Sequence, residues 1–123
     1  MYEISAGEGK HRVWLKLWDT GQGWTGSLTG GETPHVGGIV LAVPRASLTG
    51  CGLSCDIWAV PAPGHLDHEA AVPIAKQLCV RLEVTVALAA GIHIERAAAW
   101  DIAQVRENCE AALAEFWRSL KQE

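Results

Sequence analysis

Ten residues hold most of the chemistry that this chain could offer. Thr29-Gly30-Gly31-Glu32-Thr33-Pro34-His35-Val36-Gly37-Gly38 packs four glycines, a proline and a histidine between two strand-like segments. Glycine pairs let a backbone take positive φ and come close to a ligand, and successive N–H groups in such turns can form an anion-binding nest. A tight turn would use the glycines anyway, but it has no need of a histidine beside a proline. His65, with Asp67 and His68 behind it, precedes one helical pattern, and His93 precedes another. Helix N-termini carry partial positive charge and free N–H groups, so both places suit a phosphate or a carboxylate. Imidazoles there could donate to a phosphate, ligate a metal or move a proton. One loop histidine is usually an ordinary polar residue. Three in comparable settings predict that His35, His65 and His93 meet in space as one site.

The elements that must position them follow from periodicity. His11 to Trp18 alternates, with Val13, Leu15 and Leu17 on one face and Trp14, Lys16 and Trp18 on the other, which predicts a strand. Asp19 to Gly23 reads as a turn and Trp24 to Thr29 as the returning strand of a hairpin. Ile39 to Val43 is an apolar strand ended by Pro44, Arg45 to Ser54 a loop, and Cys55 to Val60 a fourth strand. From His68 to Leu82 apolar residues recur at three and four, so a helix is expected, with Pro73 near its first turn and Asp67 or His68 as its cap. Glu83 to Ala89 is apolar enough to be a central strand, ended by Gly91-Ile92-His93. The last helix runs from about Ala97 to Leu120, with Ile102, Val105, Cys109, Leu113 and Phe116 in its stripe. The order β-β-β-β-α-β-α predicts an α+β fold, a mainly antiparallel sheet of about five strands with two helices on one face.

A chain of 123 residues is one domain by length, spanning 1–123, and its 49 % hydrophobic content and mean hydropathy of +0.11 are those of a globular protein. The net charge of -4, pI near 5.7 and scattered Lys and Arg argue against a nucleic-acid partner. Val84 to Ile94, the longest apolar run, is far short of the ~20 residues of a membrane span. The first residues lack a basic segment followed by an apolar one, so a cytoplasmic location is expected. Cys51 and Cys55 have no second close pair, which makes a zinc knuckle unlikely; Cys79 and Cys109 sit in helical stripes and read as buried reduced thiols.

Several motifs fail on inspection. Gly21-Gln22-Gly23-Trp24-Thr25-Gly26 spells G-x-G-x-x-G, but it leads into a strand rather than the helix a dinucleotide needs. His68-Glu69-Ala70-Ala71-Val72 has valine where a zinc protease has its second histidine. Gly52-Leu53-Ser54-Cys55-Asp56 lacks the second glycine of a nucleophile elbow. Glu95 and Asp101 lie near His93 in sequence and are candidate acids or bases, though charges at a helix start commonly just favour the dipole. Six tryptophans are many for this length. Trp14 and Trp18 are expected to pack under a helix, with a dimer interface or an aromatic-ligand platform as alternatives.

Taken in order, Thr29-Gly30-Gly31, Pro34-His35-x-Gly37, His65-x-Asp67 ahead of Ala75-Lys76, and Ala90-Gly91-Ile92-His93 before a long last helix resemble the LpdD-like family of prenylated-flavin chaperones. The resemblance runs from about Leu15 to Trp117. It implies a cofactor chaperone or maturation factor rather than a free-standing enzyme, one that binds prenylated FMN (or FMN). The implied partners are a UbiD-type decarboxylase and the flavin prenyltransferase that makes the cofactor. The implied cofactor-binding residues are Thr29, Gly30, Gly31, Pro34, His35, Gly37, His65, Asp67, Gly91 and His93. Pro73 and the doubled Gly37-Gly38 depart from the family's pattern. Two alternatives stay open: a small enzyme with a divalent metal on His35, His65 and His93, and a homodimeric binding module without catalysis.

Overall fold

In strand β2 (Val13–Asp19) every second side chain, Val13, Leu15 and Leu17, is fully buried, and the alternate ones face away. The structure, a computed structural model, describes residues 1–64 and 67–122. Around β2 are β1 (Tyr2–Ala6), β3 (Gly23–Gly31), β4 (Gly38–Ala46), β5 (Leu53–Pro61) and β6 (Thr85–His93), with helices α1 (His68–Leu82) and α2 (Ala99–Lys121). The strands form one sheet in the order β1-β2-β3-β6-β4-β5. All neighbours are antiparallel except β3 and β6, which run parallel with Gly23 opposite Thr85 and Gly31 opposite His93.

The α+β class and the two helices on one face agree with expectation, and β6 is central as its apolar sequence demands. The strand count is six, because β1 is too short and mixed to show a period. The parallel pair also departs from the expected antiparallel sheet. It arises because β6 returns from α1 and enters between β3 and β4. Several strands run longer than the sequence suggests. β4 passes through Pro44, which is tolerated because beyond Ala42 it has no partner on its β6 side. The G-x-G-x-x-G run is a hairpin turn and strand, and a side chain at Gly26 would overlap the Lys16 carbonyl.

Both helices pack on the face that carries Leu15, Leu17, Leu28, Val40, Val86 and Leu88. α1 lies against β4, β5 and β6, and α2 against β1 and β2. Phe116 is wholly buried, edge-on to Tyr2 at 5.1 Å and to Trp24 at 5.4 Å. Trp14 and Trp18 face the other way, so they do not pack under a helix; Trp14 instead lies beneath the Arg12 guanidinium at 4.5 Å. Cys55, Cys79 and Cys109 are buried free thiols, and burial pushes Cys79 up to about 11 and Cys109 up to about 12, so both stay protonated at neutral pH. No helix among the described residues is long and apolar enough to cross a membrane.

The start of α2 is tied to the N-terminal segment. Asp101 is 3 % exposed and accepts hydrogen bonds from His11 Nε2 at 2.7 Å and the Ala98 N–H at 2.8 Å, with Lys10 Nζ at 3.2 Å. Asn108, also buried, donates to the His11 carbonyl at 2.7 Å. The His11 contact first, then the Ala98 N–H and Lys10, outweigh desolvation and hold the Asp101 carboxyl down at about 2. Its folded pKa lies below the unfolded value of ~3.9. The stability it contributes is therefore present above that value and lost as pH falls through about 2. Asp101→Asn is expected to flatten the acid limb of a plot of thermal midpoint against pH, while an unchanged limb would rule this out. In the core, Phe116→Ala should cost ~3–5 kcal/mol in denaturant unfolding, against under ~0.5 kcal/mol for Leu48→Ala, which is 91 % exposed.

Candidate functional site

Because β6 lies between β3 and β4, the chain from Gly31 to Gly38 must cross the end of β6 to begin β4. The crossing is stitched to the strand below it. Glu32 and Thr33 donate their N–H groups to the His93 carbonyl at 2.7 and 3.4 Å, His35 to Gly91 at 3.4 Å and Gly37 to Ala90 at 2.7 Å, while Gly31 donates to Arg12 at 3.0 Å. The donors that a nest would aim at an anion are thus spent on carbonyls, and the expected anion nest is not formed. The glycines serve the crossing instead. A side chain on Gly91 would overlap the His35 carbonyl, and one on Gly37 would overlap the Asp67 carboxylate.

That close approach brings together two of the three expected places and one residue of the third. The imidazoles of His35 and His93 lie with centroids 6.3 Å apart. His65 lies outside the described residues. Asp67 stands at the N-cap position of α1 but makes no side-chain cap. Its side chain is only 8 % exposed; Oδ1 accepts the Ile92 N–H at 2.9 Å and Oδ2 meets His35 Nε2 at 3.2 Å. His35 Nδ1 in turn faces the Thr33 carbonyl at 2.9 Å. Both ring nitrogens therefore face oxygen atoms, which fixes the orientation of the ring. His93 is half-exposed and reaches Glu95 at 3.2 Å, and the Glu95 N–H donates to Glu32 at 2.7 Å. Glu95 is thus beside His93 as expected, whereas Asp101 belongs to His11.

Of the remaining expected residues, Thr29 and Gly30 lie within β3, Thr29 opposite Gly91, and Pro34 is exposed on the crossing. Two imidazoles on one zinc with bonds of ~2.0–2.1 Å at a tetrahedral angle have centroids ~5 Å apart. The His35–His93 spacing is wider, and no group of three or more His, Cys, Asp or Glu among the described residues could hold a metal.

Beside this cluster a cleft of about 390 Å³ opens between the start of α1, the end of β6 and α2. Ala70, Ile92, Ile94, Ile102 and Val105 make its apolar wall; Asp67, Glu69, His93 and Arg106 make its polar rim. A narrower groove of about 260 Å³ continues it between the helices past Glu69, Arg106 and Cys109. Pro73 falls in the second turn of α1, later than expected, and so leaves the Glu69 carbonyl without its i+4 donor. Ile102 and Arg106 were not legible as site residues. Ile102 sits on the core stripe by period yet is 49 % exposed in the cleft, and Arg106, one turn on, falls off that stripe.

A small α+β protein with a part-apolar cleft at the end of its central strand has the architecture of a small-molecule binder. Residues 7–121 match the model of the prenylated flavin chaperone LpdD-like domain, and the chain belongs to that family. A search of curated proteins finds no match to it.

Asp67→Ala should cost ~1–3 kcal/mol, because it strands the Ile92 N–H and removes the partner of His35. Hydrogen exchange at the Ile92 amide should speed up in Asp67→Ala and much less in Asp67→Asn. Equal exchange in all three proteins would show that the carboxylate does not hold the strand end.

Proposed function

We propose that this chain binds prenylated FMN (or FMN) in the cleft beside His93 and helps to deliver or mature it for a UbiD-type decarboxylase in the cytoplasm. The observation that carries this reading is the cleft of about 390 Å³, in the range of small-molecule sites, in a chain of a prenylated flavin chaperone family. Its apolar wall of Ile92, Ile94, Ile102 and Val105 suits a flat aromatic ring system. Arg106, the one Lys or Arg lining it among the described residues, suits the phosphate, since a guanidinium binds phosphate oxygens bidentately. Asp67, which lies beside Ile92 and away from the groove that Arg106 lines, disfavours a phosphate at that end, so the ring edge would lie toward His93 and the His35–Asp67 pair.

When bound, the group supplies flavin redox chemistry, and the chain's own residues bind, orient and shield it. The half-open cleft fits a carrier that must take its cargo from a flavin prenyltransferase and release it again. The family residues Thr29, Gly30, Gly31, Pro34, Gly37 and Gly91 act in this reading by shaping the crossing that holds His35 in place.

Protein made together with a flavin prenyltransferase under anoxic conditions is expected to co-purify with a flavin-like chromophore. A colourless protein with no affinity for reduced prenylated FMN would overturn the proposal. Arg106→Ala should weaken that affinity by at least ~10-fold, about 1.4 kcal/mol, with the fold retained. Stoichiometric zinc in the purified protein, with activity lost to a chelator, would move the reading to a metal enzyme.

A further inference from the structure

The helices cover one face of the sheet, and among the described residues no element covers the other. We propose that this open face is the contact between two copies of the chain. The inference stands apart from the flavin reading, because the face and the cleft share no residue that the argument uses.

Two rows of side chains cross the open face. One runs Trp58, Leu41, Ala87, Thr25 and Trp18; the other runs Val60, Ile39, Ala89, Ser27 and Lys16. At one end four large apolar side chains stand in water, Trp58 at 55 %, Val60 at 61 %, Ile39 at 52 % and Leu41 at 39 % exposure. Monomeric proteins seldom leave such a cluster contiguous. The rows are bulky over β4 and β5 and shallow over β6 and β3, where alanine, serine and threonine stand. A two-fold rotation lays the bulky part of one copy on the shallow part of the other, a self-complementary contact.

Charge points to the same occupant. Two ion pairs lie within the face, Arg45 with Asp56 at 2.7 Å and Lys16 with Glu3 at 3.6 Å, while the Arg12 guanidinium lies over Trp14 and donates to the Ser5 hydroxyl. With Arg12 as its one charge outside an ion pair among the described residues, the face carries too little charge to select an oppositely charged partner or to repel a second copy strongly. Five strand spacings of ~4.8 Å by about six residues of ~3.3 Å give a flat footprint of roughly 500 Å². Side-chain relief raises the area lost toward the ~800 Å² per partner of a stable interface, with tryptophan in the anchoring role it often takes.

The test is the mass of the whole chain in solution, by light scattering and sedimentation from micromolar to about 100 micromolar. The wild type is expected at twice the 13.2 kDa chain mass. Leu41→Glu should weaken self-association at least ~100-fold while keeping its circular dichroism. If Leu41→Glu fails to fold, Trp58→Ser at the edge strand gives the same reading. A wild type that stays monomeric at the highest concentration overturns the proposal, as does a dimer that survives both Leu41→Glu and Trp58→Ser. A monomer that captures a decarboxylase through Trp58 overturns it too, by assigning the face to another partner.

Discussion

The fold turns on one crossing. β6 enters the sheet between β3 and β4, so the chain joining those two strands has to pass over the end of β6. The passage is possible only where the strand below carries no side chain, and Gly91 occupies that place under the His35 carbonyl. Once the crossing is made, its N–H groups have carbonyl partners on β6, and His35 is fixed above the strand end. Asp67 then fastens the start of α1 to the same spot through the Ile92 N–H and the His35 ring. A single steric allowance thus couples three distant segments, and the cleft lies beside their junction.

The glycine-rich segment has a different physical role from the one its composition suggests. Its glycines mark the place where the chain crosses the end of β6. Yet the backbone donors face carbonyls rather than open space, so glycine here permits close packing and not anion binding. The two histidines have different settings. His35 is held from both ring nitrogens, whereas His93 is half-exposed at the cleft and its ring reaches the exposed Glu95 side chain.

The two faces of the sheet divide the molecule's tasks. The covered face holds the core, where Phe116 and the leucines of β2, β3 and β6 supply most of the apolar burial. The open face keeps tryptophans and branched aliphatics in water, with two ion pairs and the Arg12 guanidinium among them. Helix packing therefore cannot account for the tryptophans of β2, and a protein surface is the better match to their chemistry.

What the sequence determined by itself is whatever a local period reports. The limits of α1, the alternation in β2, the hairpin after it and the central place of β6 all follow from residues within a few positions of each other. The sites of His35, Asp67 and His93 were legible for the same reason, since glycine, proline and histidine clusters are local signals. Only the tertiary structure decided that β6 runs parallel to β3, that Asp67 ties rather than caps, and that Asp101 pairs with His11 ninety positions away. Those outcomes depend on which strand edges meet and which carbonyls lie within reach. They are properties of the assembled sheet, and a sequence read one segment at a time does not contain them.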